Sequence, residues 1–196
     1  MKSFKELGLN ENIINGLNKQ GIETPTEIQS LSISDILDGM DVIGEAHTGS
    51  GKTLAFLAPI FQKIDETKRE MQVLILAPTH ELVMQINNQI KLLSTNSEKA
   101  VTSLNIIGDV NIDKQIKKLK EVKPHIIVGT PGRVLDLMNK KKIASHQIKT
   151  IVIDEGDNLL DNTSSNFVKD IVKITMRDRQ LLIFSATISN KIGRAS

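Results

Sequence analysis

Short runs of β-branched residues alternate along the chain with segments in which apolar residues recur every three or four positions. The β-branched runs predict strands, and the periodic segments predict amphipathic helices. The six strands are predicted at residues 42–43, 72–77, 101–107, 125–129, 149–153 and 181–184. The helical apolar faces comprise Ile13, Ile14 and Leu17, then Ile28, Leu31 and Ile36, then Leu82, Val83, Ile86, Ile90 and Leu93, then Ile112, Ile116 and Leu119, and finally Phe167, Ile171 and Ile174.

Regular alternation of strands and helices predicts right-handed crossovers between parallel strands. The expected fold class is therefore α/β, a parallel sheet with helices on both faces. The chain has 196 residues, which fits one domain spanning 1–196. Hydrophobic residues make up 39% and charged residues 24%, enough apolar material for a core and too little charge for a disordered chain.

Composition excludes several classes of function. With no cysteine there is no disulfide and no thiolate metal site, so a metal ion would need oxygen ligands. The longest apolar run, residues 54–61, is far too short to span a membrane, and charges near the N-terminus do not fit a secretory peptide. We therefore expect no membrane partner and a cytoplasmic location.

Charge and aromatic content bear on nucleic-acid binding. A net charge of +2 does not by itself predict a polyanionic partner. Trp and Tyr are absent and there are only five Phe, so a bound nucleic acid would be held by its backbone and not by bases stacked on aromatic rings.

A glycine-rich loop follows the first predicted strand and leads into a helix. This phosphate loop, residues 46–53, reads Ala-His-Thr-Gly-Ser-Gly-Lys-Thr. Its glycines let backbone N–H groups approach a triphosphate, and the helix N-terminus adds its positive dipole end. Lys52 would contact the β and γ phosphates, and the Thr53 hydroxyl would ligate Mg²⁺. The predicted nucleotide-binding residues of the loop are Thr48, Gly49, Ser50, Gly51, Lys52 and Thr53.

Ala46 departs from the strict G-x-x-x-x-G-K-[ST] pattern, so a glycine-rich turn without a ligand is an alternative. A second signal favours the nucleotide. Asp154 and Glu155 end an apolar strand, and open α/β sheets bind ligands at the carboxyl ends of their strands. Asp154 would hold magnesium through its water shell, and Glu155 would orient and deprotonate the attacking water. Together the two segments predict a P-loop nucleoside triphosphatase.

From Phe4 to Thr187 the chain resembles the first RecA-like domain of a DEAD-box RNA helicase. The resemblance implies that Gly21, Pro25, Thr26 and Gln29 form the Q motif, with Phe4 as its isolated upstream aromatic. A glutamine amide offers a donor and an acceptor that match N7 and N6 of adenine, and Phe4 would stack on the base. Taken alone, Gln29 could equally be a solvent-facing helix residue and Phe4 a core anchor.

The resemblance extends to the acidic segment and the last strand. Residues 154–157 read Asp-Glu-Gly-Asp where the family motif reads Asp-Glu-Ala-Asp, so Gly156 removes one methyl group. Ser185 and Thr187 match the family's motif III, and their hydroxyls would bond Asp157 and couple the nucleotide to the RNA site. An ordinary strand end is the alternative for this three-residue match.

The segments that the resemblance assigns to RNA are less faithful. Thr130, Pro131, Gly132 and Arg133 match the family pattern, in which a helix N-terminus and an arginine meet phosphate oxygens. Pro78 and Thr79 match as well, and so does Gly108. However, His80 replaces an arginine and Asp109 replaces a glycine, and both changes are expected to weaken RNA binding. Replacing His80 by Arg should then tighten it, unless His80 is only a surface residue that starts a helix.

The resemblance implies ATP and Mg²⁺ as ligands, RNA as a partner, and a second RecA-like domain that supplies an arginine finger. We expect the chain to be the isolated first domain of a longer protein, binding nucleotide weakly and hydrolysing it negligibly by itself. Two alternatives stay open. One is a DNA-directed or remodelling ATPase of the same superfamily, and the other is a non-catalytic RNA-binding module.

Overall fold

Six parallel strands form one sheet in the computed structural model, which describes residues 2–160 and 163–187. The predicted domain ends at 1 and 196 lie outside these residues. The strands are Val42–Glu45 (β1), Val73–Leu76 (β2), Ser103–Ile106 (β3), Ile126–Gly129 (β4), Thr150–Ile153 (β5) and Gln180–Ser185 (β6). Their spatial order is β1-β6-β5-β2-β4-β3. All six predicted strands are confirmed. The four inner strands β6, β5, β2 and β4 are fully buried, mostly apolar runs, whereas the edge strands β1 and β3 are only partly buried.

Eight α-helices occur among the described residues. They are Glu11–Asn18 (α1), Glu27–Leu37 (α2), Lys52–Lys63 (α3), His80–Ser97 (α4), Ile112–Val122 (α5), Pro131–Asn139 (α6), Gly156–Leu160 (α7) and Ser165–Ile174 (α8). In the described part of the chain, none of them is long and apolar enough to cross a membrane.

Helices cover both faces of the sheet, as predicted. Alternate strand residues point to opposite faces, so Val73 and Ile75 pack with α1–α4 whereas Leu74 and Leu76 pack with α5–α8. The rings of Phe56 and Phe184 lie 5.4 Å apart in the first of these two cores. Each fully buried large side chain contributes roughly 1.5–3 kcal/mol through removal of apolar area from water.

Three residues of the predicted apolar faces were assigned wrongly. Leu31 is 68% exposed, because α2 buries the positions on either side of it, including Ile28 and Ile33. In α8 the buried residues are Val168 and Ile171, which leaves Phe167 and Ile174 exposed. Sequence reasoning also did not predict α7, whose five residues are too few to show a helical period.

The strand order brings together three loops that are far apart in the sequence. β6 lies between β1 and β5, and all three strands run in the same direction. The carboxyl ends of these strands lead into the phosphate loop, into residues 154–157 and into residues 186–187. These segments therefore meet at one edge of the sheet, where open α/β sheets bind ligands.

Candidate functional site

The phosphate loop is held against α2 by a contact that only glycine permits. Gly51 has a φ of 92°, and a Cβ atom there would lie 2.6 Å from Nε2 of Gln29. That nitrogen instead donates a hydrogen bond to the Gly51 carbonyl oxygen at 3.1 Å. A side chain at position 51 would break this contact and strain the backbone, so Gly51 fixes where α3 begins.

Lys52 is the first residue of α3 and reaches back over the loop. Its Nζ donates a hydrogen bond to the carbonyl oxygen of Ala46, where the loop starts. The backbone N–H groups of the first turn of α3 have no intrahelical partners and face an incoming anion. In the described part of the chain, the buried hydroxyl of Ser50 has no hydrogen-bond partner. The loop therefore retains polar groups that a phosphate could satisfy.

Asp154 follows β5 and is almost completely buried, with 3% of its surface exposed. Burial raises the pKa of this carboxyl from 3.8 to about 6, against the lowering effects of the Glu155 N–H and of Lys52. The Glu155 N–H donates to Oδ1 of Asp154 at 2.9 Å. A buried carboxylate with so little compensation is poised to accept a cation.

Glu155 adopts a backbone conformation that is unusual for a residue with a side chain. Its φ is 51°, in the left-handed region. Oε2 accepts a hydrogen bond from Nδ2 of Asn158 at 3.0 Å. Strain of this kind costs of order 1–3 kcal/mol and is found at functional sites. Here it occurs at the junction between the end of β5 and the start of α7.

The phosphate loop and the acid pair line one cleft of about 550 Å³. The predicted convergence of Lys52 and Thr53 with Asp154 and Glu155 is therefore found. The remaining walls come from α3 and α4. The cleft is lined by Thr48, Gly49, Gly51, Lys52, Thr53, Leu54, Leu82, Gln85, Asn88, Gln89, Asp154 and Glu155.

A magnesium ion fits the oxygen ligands of this cleft. No group of three or more metal-binding side chains exists among the described residues, so the protein alone offers no complete cage. Mg²⁺ commonly binds through one or two protein oxygens together with waters and substrate phosphates. The Thr53 hydroxyl and the Asp154 carboxylate line the cleft together, and they match that pattern.

The two predicted adenine contacts have different outcomes. Phe4 is 3% exposed and lies in the hydrophobic core. Stacking on a base requires an open ring face, so the structure corrects that assignment in favour of the core anchor. Gln29 is also buried, which excludes the solvent-facing alternative. Its Oε1 accepts from the Thr26 N–H at 3.0 Å while Nε2 bonds Gly51. Its contact with adenine stays a prediction.

Ser185 connects the acidic segment to the last strand, as the motif III resemblance implies. Its Oγ accepts a hydrogen bond from the backbone N–H of Asp157 at 3.0 Å and donates to the Thr187 carbonyl oxygen at 2.6 Å. The Thr187 hydroxyl lies 3.5 Å from Oδ2 of Asp157, at the limit of a hydrogen bond. Ser185 therefore bonds the backbone of Asp157, and Thr187 lies next to the carboxylate of Asp157.

The residues predicted to contact RNA lie at the carboxyl ends of β2, β3 and β4. Thr79 is the N-cap of α4, where its hydroxyl accepts from the Leu82 N–H at 3.2 Å. Thr130 is the N-cap of α6, and Pro131 begins that helix. Gly132 follows Pro131, Pro78 precedes Thr79, and Gly108 follows β3. Two helix N-termini thus point their free N–H groups to the same edge.

Arg133 has a role that sequence reasoning missed. Its Nη1 donates to the Val110 carbonyl oxygen at 2.7 Å and to Oε1 of Gln115 at 3.2 Å, while Nη2 donates to the Gly108 carbonyl oxygen. The guanidinium therefore holds the loop after β3. Nothing local in the sequence indicates this, because the contacts depend on the pairing of β3 with β4. Its predicted contact with RNA stays a prediction.

Sequence reasoning also missed a contact between His80 and Asp109, the two residues that differ from the helicase pattern at the RNA-facing segments. Nδ1 of His80 lies 2.9 Å from Oδ2 of Asp109, so these residues form a pair. The signal available in the sequence was that both substitutions occur together in segments assigned to one surface.

Comparison with known proteins places this site in a family. The model of the DEAD/DEAH box helicase family matches residues 26–195. The chain is 46% identical over 171 residues to the DEAD-box ATP-dependent RNA helicase CshC of Bacillus cereus, covering 87% of this chain and 43% of that protein. It is 47% identical over 174 residues to the probable ATP-dependent RNA helicase YfmL of Bacillus subtilis, covering 89% and 46%.

A solved structure agrees in fold. A DEAD box protein from the hyperthermophile Methanococcus jannaschii superimposes with a TM-score of 0.91 at 34% identity, over 98% of this chain and 52% of that one. The chain thus spans about half the length, or less, of the proteins it matches. Since the family model covers most of the chain and its phosphate loop and acidic motif share one cleft, the chain belongs to the DEAD/DEAH box helicase family.

Proposed function

We propose that this chain is the nucleotide-binding domain of an ATP-dependent RNA helicase that uses ATP to clamp RNA and part short duplexes. The observation that carries the proposal is the single cleft shared by Lys52, Thr53, Asp154 and Glu155. The names of the matched relatives, which are ATP-dependent RNA helicases, support the same activity.

The residues of the cleft have different roles in nucleotide binding and hydrolysis. The N–H groups of residues 48–53 and the ammonium group of Lys52 bind the phosphates. Glu155 orients the attacking water and accepts its proton. Gln29 would recognise adenine with the second Nε2 hydrogen and the second Oε1 lone pair, which its two bonds to the protein do not use. A Mg²⁺ ion, held by Thr53 and Asp154, would neutralise charge on the phosphate oxygens when bound with ATP.

RNA binds, in this proposal, across the ends of β2, β3 and β4, where Thr79, Gly108 and residues 130–132 lie. The helix N-termini of α4 and α6 suit contacts with the phosphate backbone, and the low aromatic content suits a surface without base stacking. Ser185, Thr187 and Asp157 connect this surface to the nucleotide. A second RecA-like domain of the same protein completes both sites and supplies the arginine finger.

The test is the ATPase rate of the full-length protein alone, with single-stranded RNA, and with single-stranded DNA of the same sequence. RNA should stimulate turnover and DNA should not. A matched variant, Glu155→Gln, should retain nucleotide binding and lose turnover, because it keeps the side-chain shape and removes the base.

Two other results would refute this assignment. Equal stimulation by DNA would favour a DNA-directed or remodelling ATPase. RNA binding in the presence of a nonhydrolysable ATP analogue, without any ATP turnover, would favour the non-catalytic module.

A further inference from the structure

The pair formed by His80 and Asp109 bridges two segments that are not neighbours in the sheet. His80 is the first residue of α4, which follows β2, and Asp109 lies between β3 and α5. In the sheet, β4 separates β2 from β3. The 2.9 Å contact between Nδ1 and Oδ2 therefore spans the position of β4, whose carboxyl end leads into α6.

The loop that carries Asp109 is also anchored by side chains other than His80. Gln115 Nε2 donates to the Ile107 carbonyl oxygen at 2.8 Å. Arg133 donates to the carbonyl oxygens of Gly108 and Val110. Side chains from α5 and α6 therefore bond the carbonyl groups of residues 107, 108 and 110. Since the loop is anchored without His80, the pair acts mainly through its charges.

The charges of the pair face the solvent at the edge assigned to RNA. The Asp109 side chain is 84% exposed and that of His80 is 39% exposed. Asp109 contributes a carboxylate, whereas His80 contributes a cation only when its imidazole is protonated. The nearby guanidinium of Arg133 is directed at backbone carbonyls. Of the charged groups on His80, Asp109 and Arg133, the Asp109 carboxylate is therefore the one most accessible to an approaching RNA phosphate.

We propose that His80 and Asp109 act as one unit that sets how strongly the domain attracts the RNA backbone, with Asp109 cancelling positive charge at position 80. This inference rests on the RNA binding proposed above. It changes the expectation from sequence that His80→Arg alone tightens binding, because the new guanidinium would pair with Asp109. Position 80 gains influence on RNA only when the carboxylate at 109 is removed.

The experiment is a double-mutant cycle on the full-length protein. Dissociation constants for a single-stranded RNA are measured with a nonhydrolysable ATP analogue for wild type, His80→Arg, Asp109→Asn and the double variant. Asp109→Asn keeps the side-chain shape while removing the charge. Thr95→Arg and Asp178→Asn repeat the same charge changes at exposed positions near the opposite edge of the sheet. Thermal melts confirm that each variant folds.

Asp109→Asn should tighten RNA binding by roughly three- to tenfold, and His80→Arg alone by less than about twofold. In the Asp109→Asn background, His80→Arg should give a further gain of roughly three- to tenfold and steepen the salt dependence by about one unit. The two control variants should change neither quantity.

Equal effects of His80→Arg in both backgrounds would overturn the inference while leaving the proposed function intact, and so would the absence of any gain from Asp109→Asn. A wild-type protein that binds no RNA in any nucleotide state would overturn both. The outcomes therefore separate a failure of the pair from a failure of the RNA assignment.

Discussion

Gly156 and Ile183 approach each other so closely that a methyl group at position 156 would lie 2.9 Å from Cγ2 of Ile183. Ile183 is a buried residue of β6, the strand between the two halves of the nucleotide cleft. The family motif has alanine at the position of Gly156. In this chain the glycine therefore accommodates a β-branched neighbour, whose χ1 angle has little freedom to move.

Replacing Gly156 by Ala should destabilise the domain by about 1–3 kcal/mol, because overpacking in the core outweighs the gain in helix propensity. Chemical denaturation measures the free energy of unfolding. The cost should shrink in an Ile183→Leu background, which moves the branch away from Cβ. Gly132→Ala is the matched control, since its Cβ would have 3.6 Å to the nearest ring atom of Phe167. An equal cost at both glycines would contradict this account.

Replacing Asp154 by Asn should stabilise the nucleotide-free and magnesium-free protein at alkaline pH. The pKa of Asp154 is about 6 in the folded state and 3.8 is its ordinary value. The folded state binds the proton more tightly, so this group's contribution to stability falls as pH rises from about 4 to 6 and stays low above that. The penalty is of order 3 kcal/mol.

The variant should therefore unfold at higher denaturant than wild type at about pH 8, and the difference should nearly vanish at about pH 4. Urea titrations across this range test the prediction. Asp35→Asn, at an exposed position of α2, provides the control and should show no such trend. A pH-independent difference for Asp154→Asn would mean that burial does not govern this carboxyl.

Replacing Gln29 by Ala should cost about 1–2 kcal/mol of stability, because it removes partners from the Thr26 N–H and the Gly51 carbonyl. Gln29→Glu tests the two bonds separately. Its carboxylate can still accept from the Thr26 N–H, but it repels the Gly51 carbonyl oxygen. Calorimetry with ADP should show weaker binding for both variants, and the greater loss for Gln29→Glu. Unchanged ADP affinity in both variants would show that Gln29 does not position the phosphate loop for nucleotide binding.

Replacing Lys52 by Ala should weaken ATP binding by at least about tenfold, since a charge-assisted contact to phosphate is lost. The measurement is equilibrium binding of a fluorescent ATP analogue to the full-length protein, alongside its ATPase rate. Lys91→Ala, exposed in the middle of α4, should behave as wild type. ATPase activity that survives in Lys52→Ala would place the phosphates elsewhere.

The sheet could be predicted from sequence because its strands are local runs of β-branched residues, and the phosphate loop because its glycines and lysine are consecutive. The pair of His80 with Asp109 could not, since it depends on which strands become neighbours. Phe4 was ambiguous for a related reason: a lone aromatic residue fits a core or a base equally well. The cytoplasmic location stays a prediction, as do the magnesium ion and the domain limits at 1 and 196.

Ser185 has a further consequence, because it bonds both halves of the cleft. Its carbonyl oxygen accepts from the Ala46 N–H at 3.0 Å, its hydroxyl accepts from the Asp157 N–H, and the Ala46 carbonyl in turn accepts from Lys52. The phosphate loop is thus bonded to the Ser185 carbonyl and the acidic segment to the Ser185 hydroxyl, so one residue of β6 anchors both segments and fixes the distance between them.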